Sequence, residues 1–564
     1  MGRRGWLVVS VRLWLLVALA LPGWVVEAQQ FPPFQPFPQP APAPVAPATF
    51  AVNSAFEGFV RFVGAETIGP PISPVVERDG TRMQYFERGR LDIPLRKPVE
   101  MARAGAILAN GLETASVPPP PFTDPRARYF PETGHTLAGS FRVFWEGRNG
   151  ADLFGPPVTE EMQERDAASG KTRTVQYFER VRLEWFPELA TGTPNIPNAP
   201  DPTGVRLGAI GRPLWQFAEG PRLPDAPPTP VRGLAVPRAP AFGLVVEFTN
   251  QPRERLLGSV GELGARWVRQ PVQWQGLEPS PGVYDFAPLN VIVDDLRIKG
   301  VNILLTVSGS PAWAADGPNS APRDNADFAR FMGALATRFK GRVGAYEVWN
   351  EPNLAIEWGK RVDAGAYVEM LRAASPAIRA ADPATLVIAA GLGPTGVLDP
   401  AVGIDDVRYL EQLYAYEGGV YKSLADVQGS HPYGYRSAPD LLSPDKPNTG
   451  PYTNHPSFYF RRIEQQRLAM IRAGDGDRAM WITEWGFGSG DYVEFADISE
   501  ATRTQWTLES VALIRARYPW VGAMFLWNLN WSTFTVYGSP GHYSLLGPDF
   551  KPRPVYHAIR AMSK

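Results

Sequence analysis

Short apolar runs alternate with amphipathic segments along the C-terminal part of the chain, from residue 241 to residue 564. The runs are apolar at nearly every position, which is typical of parallel strands covered on both faces. Between them, segments such as 325–339 carry apolar residues at helical spacing, and Asp324 is suited to cap that helix. Strands are expected at 243–248, 267–271, 302–307, 344–349, 385–390, 427–431, 479–483 and 524–527. Eight strand-then-helix units predict an α/β fold, a (β/α)8 TIM barrel.

A doubly wound sheet would give a similar alternation of strands and helices. Its first strand is normally followed by a glycine-rich phosphate loop. Here residues 247–250, which follow the first strand, read EFTN. The barrel is therefore favoured, and no nucleotide cofactor is expected.

The region before the barrel repeats itself. Three blocks, FVRF, IGPPIS and MQYFERGRL, begin at Phe59, Ile68 and Met83. They return in the same order as FRVF, FGPPVT and VQYFERVRL, which begin at Phe141, Phe154 and Val175. Shared order over three blocks predicts a duplication, and the Gly-Pro-Pro turns with short alternating runs predict strands. Two small β-rich modules are therefore expected, at 49–121 and 122–217.

The YFER segments at 85–88 and 177–180 are expected to be strands with aromatic residues on one face and charge on the other. Two interpretations of the modules remain open. In one, their aromatic residues only form small cores. In the other, exposed aromatic residues stack on sugar rings and attach the protein to cell-wall or substrate glycan.

Two proline-rich segments, 29–48 and 218–240, flank the modules and predict extended linkers. Residues 1–28 have the pattern of a signal peptide, with arginines before the apolar run from Leu13 to Leu21 and small residues near Ala28. That run is shorter than the ~20 residues a membrane span requires. We expect cleavage and a secreted, extracellular protein without a membrane span, with attachment to the cell surface or an uncleaved anchor as alternatives.

Composition narrows the function further. Lys and Arg number 56 against 57 Asp and Glu, so the chain has no electrostatic footprint for nucleic acid. It has no cysteine, and its five histidines are scattered without metal-ligand spacing. We therefore expect neither disulfides nor a metal or other cofactor.

Two glutamates stand at the ends of predicted strands. The segment 346–353, YEVWNEPN, begins as a buried strand and ends at Glu351, after which Pro352 stops the ladder. The segment 481–487, WITEWGF, repeats this arrangement around Glu484. Catalytic groups of a (β/α)8 barrel sit at the C-terminal ends of its strands. The pair therefore points to glycoside hydrolysis, which uses two carboxylates.

Together with SPAW at 310–313 and HPY at 431–433, these two segments resemble clan A of the retaining glycoside hydrolases. The run 347–353 and the two shorter segments are most similar to family 39, with family 5 next. The resemblance extends over the barrel to GPDFKPRP at 547–554. It does not include the modules, which are only faintly similar to short repeats of bacterial surface proteins.

The resemblance implies a retaining β-glycosidase in which Glu351 is the general acid/base and Glu484 is the nucleophile. Such a pair lies ~5–5.5 Å apart, against roughly 6.5–9.5 Å in an inverting enzyme. The resemblance also implies that Arg269 keeps the nucleophile ionised, and that Tyr433 and His431 contact it. The alternatives are a structural ion pair for Arg269 and a packed or surface position for His431.

Three further residues are candidates for binding the sugar. Asn350 would donate to the 2-hydroxyl group, an interaction that strengthens in the transition state. Trp527 would form the floor of a sugar subsite, and Trp313 would line another. A strand-end Asn that satisfies backbone groups and tryptophans that belong to the core are the alternatives.

The sequence thus predicts an enzyme that hydrolyses O-glycosidic bonds of polysaccharides or oligosaccharides, with carbohydrate as its partner. Two other functions remain open. One is a transglycosylase, which shares the covalent intermediate. The other is a carbohydrate-binding surface protein whose barrel has lost catalysis.

Overall fold

The computed structural model describes residues 50–112, 126–166, 169–190, 203–221, 223–224, 240–317, 319–359, 361–443, 455–490, 498–533 and 538–563. The predicted signal peptide and the first proline-rich segment lie outside these ranges, as does most of the second. Within the described ranges, no helix combines the length and the apolar character needed to cross a membrane.

Two modules with the same order of elements precede the barrel. The first comprises α1 Ser54–Val63, α2 Ala65–Ile68, β1 Pro71–Arg78, β2 Thr81–Phe86, β3 Gly89–Ile93, β4 Glu100–Met101 and α3 Ala104–Ala109. A ribbon of β5 Ala127–Phe130 and β6 His135–Ala138 leads into the second module. The second comprises α4 Gly139–Gly147, α5 Gly150–Leu153, β7 Met162–Arg165, β8 Thr172–Tyr177, β9 Arg182–Trp185, β10 Val205–Leu207 and α6 Gly211–Ala218. Each module therefore builds a four-stranded antiparallel sheet between helices.

The two sheets also repeat individual hydrogen bonds. In the first module, Ser73 Oγ accepts from the backbone N–H of Tyr85 at 3.0 Å. In the second, Thr159 Oγ1 accepts from the backbone N–H of Tyr177 at 3.0 Å. Matching bonds at matching positions are what a duplicated sequence should produce, although the module boundaries stay predictions.

The last helix of each module packs against the other module. Helix α3 lies so close to the β8–β9 turn that a Cβ on Gly105 would be 2.0 Å from the carbonyl oxygen of Phe178. Helix α6 lies equally close to the β2–β3 turn, where a Cβ on Gly211 would be 1.7 Å from the carbonyl oxygen of Phe86. Only glycine permits such an approach. The two modules are therefore interlocked.

The expected arrangement of the YFER segments is wrong. Tyr85 and Phe86 are both fully buried, in two different apolar clusters, because successive side chains of a strand point to opposite faces. The two residues that follow them form the β2–β3 turn. Trp215 of the second module covers Tyr85, with ring centroids 4.9 Å apart. These rings form cores and cannot stack on a sugar.

The predicted barrel is confirmed. Eight parallel strands close in chain order, and the last pairs with the first through Phe242 and Met524. The strands are β11 Ala241–Val245, β12 Trp267–Gln273, β13 Asn302–Ser308, β14 Ala345–Val348, β15 Leu386–Ala389, β16 Val427–Ser430, β17 Ala479–Trp485 and β18 Val521–Leu526. Trp267 and Trp481 meet edge to face at 5.1 Å inside the barrel and fill it together with smaller apolar residues.

Helices surround the strands, as expected. They are α7 Arg253–Glu262, α8 Trp274–Leu277, α9 Ala287–Ile298, α10 Asn325–Arg338, α11 Ala355–Trp358, α12 Ala364–Ala381, α13 Asp406–Ala415, α14 Arg462–Arg472, α15 Glu500–Arg517, α16 Gly538–His542 and α17 Pro554–Ala561. Asp324 caps α10, because its carboxylate accepts from the backbone N–H of Ala326 at 2.8 Å.

The modules dock directly on the barrel. The indole nitrogen of Trp520 donates to the carbonyl oxygen of Phe217 at 3.0 Å. Gln216 Nε2 donates to Asp477 Oδ1 at 2.9 Å, and Leu468 of α14 belongs to the apolar cluster that contains Trp215. These contacts lie on α14, on Asp477 just before β17, the strand that carries Glu484, and on Trp520 just before β18.

Candidate active site

Glu351 follows β14, and Glu484 is the penultimate residue of β17, so both lie at the C-terminal ends of barrel strands. The backbone around Glu351 is strained. Trp349 has a φ of 73° and Glu351 a φ of 42°, in the left-handed region that non-glycine residues rarely occupy. Strain of this kind accumulates at functional sites. It turns Asn350 and Glu351 sharply at the strand's end.

The Glu484 carboxylate is held by donors on both oxygens. Arg269 Nη1 donates to Oε1, and the Tyr433 hydroxyl donates to Oε2 at 2.8 Å. Burial and the Glu484 charge raise the pKa of Tyr433 well above its usual value, so its hydroxyl keeps the proton that it donates. The carboxylate is thereby fixed in position at the barrel mouth.

Arg269 on β12 is fully buried and connects three partners. Besides Glu484, it donates through Nε to Glu347 Oε2 at 2.8 Å and through Nη2 to Asn350 Oδ1 at 2.8 Å. Glu347 also accepts from Thr306 Oγ1 at 2.6 Å. Burial raises the pKa of Glu347, but the Arg269 charge and these hydrogen bonds outweigh it and leave the pKa lowered. Glu347 therefore stays ionised inside the barrel.

Glu351 has a different partner. His431 Nδ1 lies 2.7 Å from Glu351 Oε1, and its Nε2 lies 3.0 Å from Thr483 Oγ1. Burial lowers the pKa of His431, but the charges of Glu484 and Glu351 outweigh burial and raise it. A Cβ on Gly393 would lie 2.8 Å from Glu351 Cδ and 2.7 Å from Leu354 Cδ1, so a larger residue there would displace these side chains.

The reactive groups are close together. Single ligand atoms of Glu351, His431 and Glu484 lie within 4.8 Å of one another. This spacing would also suit a metal ion. Arg269 and Tyr433 bond the two Glu484 oxygens, and His431 bonds Oε1 of Glu351.

A cavity of about 550 Å³ opens at these strand ends. Its wall carries amide, hydroxyl, carboxylate and indole groups: Glu247, Thr249, Asn250, Arg269, Pro271, Gln273, Gln275, Thr306, Ser308, Gly309, Asn319, Asn350, Glu357, Glu484, Trp527 and Trp531. The two indole rings lie 4.6 Å apart and form its aromatic side. Such a wall can take both the apolar face and the hydroxyl groups of a sugar.

The structure brings most of the candidate residues together. Asn350, Arg269 and Trp527 line the cavity, and His431 and Tyr433 bond the two glutamates from behind it. The roles assigned to them stay predictions.

Trp313 is not among the residues that line the cavity. It packs edge to face against Trp274 at 5.6 Å and donates to the Glu278 carbonyl oxygen at 3.0 Å. The structure gives Trp313 a packing role and no support for the expected subsite.

Three functional candidates were missed from the sequence. Glu347 could have been found, since a carboxylate inside an apolar strand needs a buried cationic partner. Glu247 also could have been found, since it stands at the C-terminal end of the first predicted strand, whereas Glu357 left no such signal. Burial and the Glu351 charge raise the pKa of Glu357 to about 7.

Residues 238–530, about half of the chain, match the family model described as Cellulase (glycosyl hydrolase family 5). The chain belongs to glycosyl hydrolase family 5. It is a glycoside hydrolase of clan A, as the sequence indicated. From its sequence motifs, however, the chain was expected to be most similar to family 39, with family 5 next.

Solved structures similar to this family 5 chain include a family 39 glycoside hydrolase from Bacteroides cellulosilyticus WH2. The identity is 16%, over 71% of this chain and 75% of that one, with a TM-score of 0.43. A glucosidase from Croceicoccus marinus is 15% identical over 54% and 62%, with a TM-score of 0.41. Cel5A from Thermotoga maritima is 13% identical over 57% and 97%, with a TM-score of 0.40. No curated protein sequence matches the chain.

Proposed function

We propose that the protein is a secreted retaining β-glycosidase that hydrolyses O-glycosidic bonds of polysaccharides or oligosaccharides by double displacement. The observation that carries this proposal is the close approach of Glu351 and Glu484, whose ligand atoms lie within 4.8 Å. A retaining pair is ~5–5.5 Å apart, and an inverting pair needs roughly 6.5–9.5 Å to admit a water molecule between. Single oxygens of the two carboxylates within 4.8 Å of each other are compatible with a retaining pair.

In the first step, the Glu484 carboxylate attacks the anomeric carbon while the glycosidic bond breaks. Glu351 gives its proton to the leaving oxygen and becomes a carboxylate. The donors on Glu484, from Arg269 and Tyr433, hold its oxygens in place for the attack. The product is a glycosyl ester on Glu484.

In the second step, Glu351 takes a proton from water, and the water oxygen attacks the anomeric carbon. The ester bond breaks, and its electron pair returns to Glu484. Arg269 and Tyr433 then stabilise the restored carboxylate, as they do in the free enzyme. Two inversions at one carbon leave the product with the configuration of the substrate.

The form of the cavity supports a carbohydrate substrate. Trp527 and Trp531 offer an aromatic surface, while Gln273, Ser308 and Asn319 offer hydrogen-bonding groups. Export is part of the proposal on the ground of the first 28 residues alone, which have the pattern of a signal peptide.

The test is a screen of the purified protein against aryl β-glycosides and polysaccharides, with the product anomer read by NMR. We expect hydrolysis with retention of configuration. An initially inverted product would overturn double displacement. Absence of turnover together with measurable glycan binding would favour a carbohydrate-binding protein without catalysis.

A further inference from the structure

Glu357 is a carboxylate on the cavity wall that the mechanism above does not use. Its backbone is fixed, because the indole nitrogen of Trp349 donates to its carbonyl oxygen at 3.0 Å. The next residue, Trp358, is buried and packs against Trp349 at 5.8 Å. The strained turn that positions Glu351 therefore also positions Glu357.

Glu357 stands beside the group expected to meet the sugar's 2-position. Asn350 accepts from Arg269 through Oδ1 at 2.8 Å. Asn350 and Glu357 line the same cavity, and burial leaves the pKa of Glu357 raised although Asn350 lowers it. Hydrogen bonds to the 2-substituent strengthen in the transition state of glycoside hydrolysis. With Asn350 assigned that contact, Glu357 lies on the same cavity wall as the group that meets the 2-position.

Most charged groups on the cavity wall are acidic. Glu247, Glu357 and Glu484 line it, and among its described lining residues Arg269 is the single Lys, Arg or His. The nitrogens of Arg269 already bond Glu347, Glu484 and Asn350. An anionic sugar would therefore find no available cation, whereas a cationic substituent would find carboxylates.

We propose that the site selects a glycoside whose reacting sugar carries a free amino group at the 2-position, and that Glu357 is the residue that selects it. This inference rests on the proposed glycosidase function. An ammonium group has only donors, and a carboxylate offers acceptors without a competing proton. Hydrogen bonds between two charged groups are also roughly twice as strong as neutral ones.

The pKa of Glu357 agrees with this selection. Burial and the Glu351 charge raise it to about 7, so the ionised carboxylate is disfavoured where it stands. An ammonium group beside Glu357 would favour the ionised carboxylate. A neutral sugar would leave the burial of Glu357 uncompensated.

The experiment compares matched substrates on the full-length protein. Aryl β-glycosides of the gluco, galacto and manno configurations are paired with their 2-amino-2-deoxy analogues, and all carry the same leaving group. The assay pH is kept below the pKa of the amine, so that the amino group is protonated. We expect kcat/KM for the amino member of the active pair to exceed that of the neutral member by about tenfold or more. In Glu357→Gln, this ratio should fall by a similar factor.

Glu357→Gln keeps the size of the side chain and an acceptor oxygen, so a purely positioning role would lower kcat/KM for both substrates equally and leave the ratio unchanged. That outcome, or a wild-type preference for the neutral member, overturns the inference while the glycosidase function stands. Turnover of neither member overturns the proposed function as well. Glu254→Gln, at an exposed position on α7, is the control and should keep the wild-type ratio.

Discussion

Arg269 shows how one residue organises this site. It is fully buried, and each of its three nitrogens bonds a different side chain: Glu347, Glu484 and Asn350. A planar guanidinium can hold three partners in fixed directions, which an ammonium cannot. The nucleophile and the residue expected to contact the 2-substituent are therefore positioned by the same side chain.

Glu484→Ala should lower hydrolysis on the order of 10⁴-fold or more, because no ester can form without the carboxylate. Azide should restore turnover by attacking the anomeric carbon from the vacated side, and NMR should show a glycosyl azide of inverted configuration. Glu254→Ala on the exposed face of α7 is the control. A retained azide product would contradict Glu484 as nucleophile.

Glu351→Ala should slow natural glycosides by about 10²–10⁴-fold, because their leaving oxygen needs a proton. Aryl glycosides with acidic leaving groups should slow much less. The measurement is kcat/KM across a series of phenols with graded acidity. Equal loss across the series would contradict the acid role.

Glu357→Gln should change how stability depends on pH. The pKa of Glu357 is raised from 4.5 to about 7 in the folded protein. Between these values the folded state binds more protons than the unfolded state, so stability falls as pH rises. The loss is on the order of 3 kcal/mol.

Urea unfolding at several pH values measures this effect. Glutamine does not titrate, so the variant should lose less stability than wild type as pH rises through that window. Parallel curves for the two proteins would show that Glu357 does not titrate there.

At the scale of elements, the end of β15 is as important as the strands that carry the glutamates. The chain after β15 passes directly behind the acid, and Gly391 donates its N–H to Glu347 Oε1 at 3.0 Å. A Cβ on Gly391 would lie 2.2 Å from His431 Nε2. The loop after β15 therefore contacts Glu347, Glu351 and His431.

Gly393→Ala should displace Glu351, because the added Cβ would meet its Cδ at 2.8 Å. Misplacement of a catalytic group by about 1 Å can cost on the order of 10²-fold in rate. We expect kcat to fall while KM changes little. Gly258→Ala on α7, where a Cβ meets nothing within 4 Å, should leave both constants as in wild type.

The sequence predicted the elements that local chemistry determines. Continuous apolar runs located all eight barrel strands, and Asp324 marked the start of α10. The faces of β2 could not be predicted from aromatic content, because the swapped helices give both faces a core. Glu357 was missed for a similar reason, because the fold rather than a local pattern brings it to the cavity. Glu247 had the strand-end position of the two catalytic candidates and was not singled out.

At the scale of the whole molecule, the modules and the barrel share an apolar cluster. Leu468 of α14 packs with Trp215 and Tyr85, and Arg467 donates to the carbonyl oxygens of Arg478 and Gly476 at 2.8 and 2.6 Å. Those two carbonyls immediately precede β17. A change in the packing of the modules would therefore reach β17, the strand that carries Glu484, through α14.

Trp215→Ala should destabilise the protein by about 3–5 kcal/mol, since it removes a buried ring that packs on Tyr85. Because the core is shared, we expect one calorimetric transition that moves to lower temperature as a whole. Two transitions, with only one of them shifted, would show that the modules and the barrel unfold separately.

The exchange of α3 and α6 between the modules has a consequence for inheritance. Deletion of either copy would remove the helix that closes the other, and an added third copy would have no partner with which to exchange. The exchange of helices therefore requires two copies of the module. Descendants of this gene should keep both modules or lose both, whatever happens to the enzyme behind them.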